Sequence, residues 1–339
     1  MSKSIDNRVY QAFTVLVQAS LWNTDVTLRG AFPLSEKEWQ SLFDFARYQA
    51  MTPILYDAVR RIPIELSPGP VLVAKWLVAA NQTEILNKHT AKVTEEVRDI
   101  WAKRGINAVV LKGLEAAKLY PVPEHRTSGD VDWFFSNSKD WESARAWAEE
   151  TGAVITSDSD GCMHYTYKDV LMDHHHLNID AQDKAEVLAM YNLHILKHAM
   201  VMGVGIRQFC DIALAYKAFR GQYSAEHLRE TLVREKALKW TALLNAFLVY
   251  ELGLDEGNLP DIQDADWMFV SHRDIQRLRN LVIGDGNFGL GKGNRFSGFW
   301  SRTRLFLKYS GSRYAKRWLG LFWGHLFHKN KKIGFNKVV

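Results

Sequence analysis

The chain has 339 residues, 47% of them hydrophobic, with a formal net charge of +5. That is enough apolar material for one large buried core or two ordinary ones. Two cysteines, Cys162 and Cys210, exclude a disulfide framework and a CxxC metal knuckle, and charges break every apolar run well short of the ~18 residues a membrane-spanning helix needs.

No charged leader with a long apolar stretch opens the sequence, so the expectation is a cytoplasmic protein. Residues 1–104 read as a helical region. Ser35 followed by Glu38 has the form of a capping box opening the helix of Trp39, Leu42, Phe43 and Ala46. The same spacing continues around Ile54, Leu55 and Val59. From Val73 to Lys103, Leu77, Ile85, Leu86, Val93, Val97 and Ile100 recur at helical intervals.

The pattern changes at Gly105, and residues 105–181 read as a small α/β core. Ile106 to Leu111 is short, apolar and β-rich, and ends at Lys112-Gly113. A short helix from Leu114 to Tyr120 follows, stopped by Pro121-Val122-Pro123. Gly129 to Phe135 reads as a second strand, and Trp141, Ala144, Trp147 and Ala148 mark an amphipathic helix. Two more strands are expected near Met163–Tyr167 and Val170–Leu177, with Lys168-Asp169 as the tight turn between them. Residues 182–285 return to helix, at least from Lys184 to Leu252, and Gly284 to Gly298 reads as a loop or hinge. The last region, 286–339, is basic and aromatic. Asp285 is the last acidic residue, twelve Lys and Arg follow between Lys292 and Lys337, and about −7 is left for everything before. Cations interleaved with Trp300, Tyr314, Trp318 and Trp323 suit an anionic membrane surface or nucleic acid as partner of residues 292–337, with peripheral membrane contact as a consequence. The plainer alternative is an amphipathic helix or two closing the domain.

Asp130 and Asp132 sit two apart in a strand, so both carboxylates leave the same face while Val131 turns to the core. Such a pair repels itself unless a cation neutralises it, and magnesium with phosphate oxygens suits few carboxylates. Upstream, the Lys112-Gly113 turn opens a helix: glycine lets backbone approach an anion, the helix start offers free N–H groups, and Lys112 adds a charge. Arg126 could add a second cation. The alternative is an ordinary turn with a solvated lysine. In the Leu171 to His176 strand, Asp173 and His175 share one face while Met172, His174 and His176 share the other. Asp173, the one acidic residue of the apolar run Val170 to Leu177, could therefore be the third carboxylate, with His175 lining the same cleft. His194 and His198, four apart on a helix, read as packing histidines, with a pocket-lining role or a metal role with Asp211 as the alternatives. Both cysteines are expected to be buried and inert.

The segment INAVVLKGLEAAKLYPVPEHRTSGDVDWFF, Ile106 to Phe135, resembles the uncharacterised nucleotidyltransferase family of the DNA polymerase β-like superfamily. The matching positions are Lys112, Gly113, Tyr120, Pro121, Arg126, Asp130 and Asp132, with a later acidic-x-His strand at Asp173 and His175. The likeness extends loosely over about residues 35–290, including Leu193 to Ala213. It implies an α+β fold: a small mixed-sheet polymerase β-like core embedded in mostly helical N- and C-terminal parts. It also implies magnesium-dependent transfer of a nucleoside monophosphate from a nucleoside triphosphate to an unidentified acceptor, with release of pyrophosphate. Two Mg2+ ions would be held by Asp130, Asp132 and Asp173, and the triphosphate by Lys112, Gly113, Arg126 and His175. Two positions depart from the wider superfamily: Gly113-Leu114 stands where Gly-Ser is usual, and Asp173 where a Glu is frequent. The rival expectation is a degenerate transferase core that binds RNA or anionic membrane through the tail.

Overall fold

The structure, a computed structural model, describes residues 5–26, 30–157, 162–176, 179–201, 203–262, 270–285 and 295–310. Four helices come first: α1 (Asn7–Trp22), α2 (Glu36–Tyr48), α3 (Thr52–Val59) and α4 (Pro70–Lys103). The capping box is present as expected: Ser35 Oγ accepts from the Glu38 amide while the Glu38 carboxylate accepts from the Ser35 amide at 2.7 Å. The 34-residue α4 changes partners along its length. Trp76 enters the helical core, while Val93, Val97 and Trp101 pack under the sheet. Leu77, Ile85 and Leu86, which carried part of the helical periodicity, face solvent. The spacing identifies the helix but not which residues find a partner.

The sheet follows. Its strands are β1 (Val109–Val110), β2 (Asp130–Phe135), β3 (Thr156–Ser157), β4 (Met163–Tyr167) and β5 (Val170–His176), in the order β1-β2-β5-β4-β3. β2 and β5 run parallel at its centre and the other pairings are antiparallel, so the sheet is mixed. The apolar run from Ile106 supplies only two strand residues, because β1 meets β2 over Val109 and Val110 alone. β3 is an edge strand that the alternation of its sequence did not reveal. Lys168 and Asp169 both adopt positive φ, 48° and 64°, as a two-residue hairpin turn requires, and Tyr167 pairs with Val170. Helices α5 (Gly113–Ala117) and α6 (Ser138–Glu150) lie between β1 and β3, and α6 is capped by Asn137, which accepts from the Asp140 amide at 2.8 Å.

Strand alternation sorts the central residues. Val131, Trp133, Phe135, Met172 and His174 face a core formed with α4 and α6, where Trp101 meets Trp133 edge-on at 4.6 Å between ring centroids. The opposite face carries Asp130, Asp132, Phe134, Asp173 and His175.

The remaining helices are α7 (Lys184–Val201), α8 (Ile206–Ala218), α9 (Ala225–Arg234), α10 (Leu238–Leu252), α11 (His272–Asp285) and α12 (Arg295–Tyr309). With α1 to α3 they enclose the larger core. Both ends of the expected loop from Gly284 to Gly298 are helical, since α11 contains Gly284 and α12 starts at Arg295, and residues 286–294 lie outside the described residues. Lys308, counted among the tail cations, pairs with the buried Asp274 at 2.5 Å, and Arg302 donates to the Ala199 carbonyl at 3.3 Å. These two charges tie α12 to the body. Lys292 and everything from residue 311 to Val339 lie outside the described residues, and with them most of the cationic, aromatic stretch. Among the described residues, no helix is long and apolar enough to cross a membrane.

Candidate active site

The centre of the site is a matter of strand register. Asp132 and Asp173 are direct Cα partners across the parallel β2–β5 pair. Their side chains therefore leave the sheet side by side on the face away from the tryptophans. Asp130 stands one pleat earlier, opposite Leu171, and His175 one pleat later, opposite Phe134. His164 on β4 is the Cα partner of Asp173, and its Nδ1 lies 2.8 Å from Asp173 Oδ1. Thus the four strand residues expected at the site, Asp130, Asp132, Asp173 and His175, come together on one surface.

The Lys112-Gly113 turn feeds this surface from the side. Lys112 has φ +61° and ψ −144°, a strained conformation for a residue with a Cβ, and Gly113 has φ +25°. Strain of this kind costs roughly 1–3 kcal/mol and persists where its surroundings enforce it. A Cβ on Gly113 would also stand 3.4 Å from the Asp130 carbonyl oxygen. The turn delivers Lys112 Nζ to 2.9 Å from Asp132 Oδ1, and the ammonium lies 5.3 Å from the Phe134 ring centroid. α5, which follows, has only five residues, so little of a helix dipole stands behind the turn.

Asp132 Oδ1 has a second partner, His175 Nε2, at 2.9 Å. Burial pushes the Asp132 carboxyl upward, but the Lys112 charge and the His175 hydrogen bond outweigh it and hold the group well below the usual carboxylate range. Asp130 goes the other way: burial, then the charges of Asp132 and Asp173, raise it. Three clustered carboxylates with one ammonium among them are short of positive charge.

Arg126 behaves differently from the expectation of a phosphate-facing cation. Its Nη2 lies 2.6 Å from Asp211 Oδ2 and its Nε donates to Asp211 Oδ1 at 3.1 Å, with both residues buried. Tyr120 donates to the same carboxylate at 2.7 Å. This fork-to-fork pair locks the loop before β2 onto α8 and occupies the guanidinium. Arg207, which sequence reasoning passed over, is also buried. It donates to the Thr127 carbonyl, and burial followed by the Arg126 charge lowers it to about 10, partly offset by Asp211 and Asp130.

The α7 histidines close another side. His194 and His198 meet at 4.3 Å between ring centroids. Burial and then the Lys112 charge push His194 well down and His198 to about 4, so both are neutral near pH 7. Both feel the charges of Lys112 and Asp132, while Asp211 is paired with Arg126. Cys210 is fully buried, as expected. Cys162 is not: it is half-buried, and its Sγ lies 3.2 Å from His175 Nδ1. Reading along the chain left His164 unmarked and took Cys162 only as an inert thiol, although a signal existed. A two-residue turn at Lys168-Asp169 pairs Tyr167 with Val170, and counting back sets His164 opposite Asp173 and Cys162 opposite His175. No comparable rule gives the β2–β5 pairing or the Arg126–Asp211 bridge.

One donor atom each from Asp132, Asp173 and His175 lies within 4.8 Å of the others, a spacing that fits a metal ion. Against known proteins, residues 35–189 match the model of a family described as an uncharacterised nucleotidyltransferase. The match spans α2 through β5 and ends inside α7, short of Leu193 to Ala213. No curated protein and no solved structure matches the chain.

Proposed function

We propose, on the premise that residues 35–189 belong to the uncharacterised nucleotidyltransferase family, that this protein transfers a nucleoside monophosphate from a nucleoside triphosphate to an acceptor. The observation that carries the reading is the register of Asp132 and Asp173 on adjacent strands, with Asp130 on the same face. The donor set fits divalent cations: clustered carboxylates, of which Asp130 is raised by burial and then by its neighbours' charges, next to an imidazole nitrogen. Asp130, Asp132 and Asp173 would hold magnesium, two ions in the full complex, and bound magnesium supplies charge neutralisation at the attacking and leaving oxygens.

The chain's own groups would do the rest. Lys112 sits at the edge of the carboxylates and is the cation best placed to meet a phosphate, exchanging its contact with Asp132 for one with the triphosphate. The Gly113 backbone allows close approach of that phosphate. In the metal-free chain His175 orients Asp132 through its Nε2, and His194 and His198, neutral near pH 7, add no charge. Arg126 would act on the triphosphate indirectly, by fixing the loop that carries Asp130. The acceptor hydroxyl oxygen bonds to the α-phosphorus, its proton passes to Asp173, the bond to the bridging oxygen breaks, and pyrophosphate leaves.

The test is incubation of the pure protein with magnesium, each labelled nucleoside triphosphate in turn, and cell extract. Label moving onto a macromolecule or small molecule identifies donor and acceptor class together. Absence of binding of all four triphosphates by calorimetry, with magnesium at millimolar concentration, would overturn the reading.

A further inference from the structure

We propose that His175 is itself a metal ligand, so that one position of the site is built for a divalent cation that accepts nitrogen as well as oxygen, of the Mn2+ or Zn2+ class. The inference rests on the nucleotidyltransferase reading and refines it: the triphosphate brings its own magnesium, while the position bounded by Asp132, Asp173 and His175 has different chemistry.

Three observations carry it. The first is placement. Asp132 and Asp173 are paired across two strands, His175 follows Asp173 by one pleat on the same face, and one donor atom from each falls within 4.8 Å of the others. Asp130 is not part of this triangle. The set that geometry assembles is two carboxylates and an imidazole, not three carboxylates.

The second is the orientation of the ring. His175 stacks on Phe134 at 4.9 Å between centroids with 25° between planes. Its Nδ1 is met by Cys162 Sγ at 3.2 Å, which leaves Nε2 turned toward the carboxylates, 2.9 Å from Asp132 Oδ1. A metal-bound histidine typically has its other ring nitrogen engaged by a fixed partner, which sets ring direction; Cys162 fills that place. The third is donor chemistry. Magnesium demands near-octahedral oxygen and keeps several waters, whereas imidazole with carboxylates suits manganese, zinc and their neighbours.

A second cluster shows what an ordinary explanation looks like. Asp183, Glu186 and His227 also bring three donors within 4.8 Å. There, however, Asp183 accepts from the Ala185 amide at 2.7 Å and Glu186 from the Asp180 amide at 2.5 Å. Those carboxylates hold the start of α7, which accounts for them.

The experiment uses the full chain and Mn2+ alone. Pulsed electron paramagnetic resonance reads nitrogen coupling to the bound ion, and calorimetry reads its affinity. Expected is 14N coupling in the wild type that disappears in His175→Ala and His175→Gln but survives in His227→Ala and His164→Ala. Loss of a ligand should weaken Mn2+ binding at least as much as loss of a supporting partner does, about 10–100-fold. Absence of coupling in the wild type overturns the assignment even if a variant does not fold, and His175→Gln stands in where His175→Ala does not fold. Mn2+ bound without nitrogen coupling, or coupling that persists in His175→Ala, overturns the ligand assignment while the nucleotidyltransferase reading stands. Coupling lost in His175→Ala together with no triphosphate binding would leave the ligand in place and overturn the function. No Mn2+ binding at all would overturn both.

Discussion

His174 and His175 are consecutive, yet the two faces of the sheet give them opposite roles. His174 is fully buried among Trp101, Phe135 and Tyr165, whose hydroxyl lies 3.0 Å from its Nε2. Burial and then the neighbouring histidine charges push it to about 3, so it stays neutral and behaves as a packing residue with one satisfied nitrogen. His175 faces Asp132 and Cys162 on the half-open side. The same division holds on β2, where Val131, Trp133 and Phe135 build the core while Asp130 and Asp132 gather charge. The apolar face stabilises the fold; the polar face is held in an arrangement that, left alone, repels itself. Stability and activity should therefore separate when one face is altered at a time.

The largest expected effect is on the apolar face. Trp133→Ala should cost about 3–5 kcal/mol of stability, the usual penalty for emptying a buried aromatic site. Measured by urea unfolding, with metal binding normalised to folded protein, the loss should appear in stability alone. A Trp133→Ala protein of wild-type stability would show that this core does not support the sheet.

Next in size is the polar face. Asp173→Asn should lower transfer roughly 100- to 1,000-fold, the range for losing one charge-stabilising group, while keeping most triphosphate binding. Melting temperature should hold. Asp180→Asn, beyond the strand, serves as the control, and transfer at the wild-type rate by Asp173→Asn would place the third carboxylate elsewhere.

Lys112→Met comes third. A charge-assisted hydrogen bond is worth about 1.5–3 kcal/mol, so triphosphate binding should weaken roughly 10- to 100-fold in calorimetry. Metal binding without nucleotide should not weaken, because the ammonium and a cation compete for Asp132. Weaker Mn2+ binding in this variant would mean that Lys112 supports the metal position instead.

The smallest effect is a gain. Asp130 has its carboxyl raised by burial and by Asp132 and Asp173, so the folded chain holds that proton more readily than the unfolded one. Its contribution is fully present below the ordinary value of 3.8 and is lost as pH rises through the raised folded value. Asp130→Asn removes this loss. Without metal, the variant should melt on the order of a degree or two higher near pH 7 and converge with the wild type in acid. A lower melting temperature at neutral pH would show that Asp130 already has a compensating cation.

Much of this was legible along the chain because it depends on period and local chemistry. Alternation put Asp130 with Asp132 and Asp173 with His175. The turn at Lys168-Asp169, the capping box at Ser35 and Glu38, and the α+β layout were legible for the same reason. Tertiary structure alone decided three matters. The parallel register that sets Asp132 against Asp173 depends on how α6 and the hairpin pack, since no turn links β2 to β5. The capture of Arg126 in a buried ion pair depends on Asp211, 85 residues away, reaching it inside the protein, where burial makes pairing obligatory. The direction of the His175 ring depends on Phe134 and Cys162 converging from two other strands or their ends. Local spacing says which side of an element a group leaves from; only packing says what it meets there.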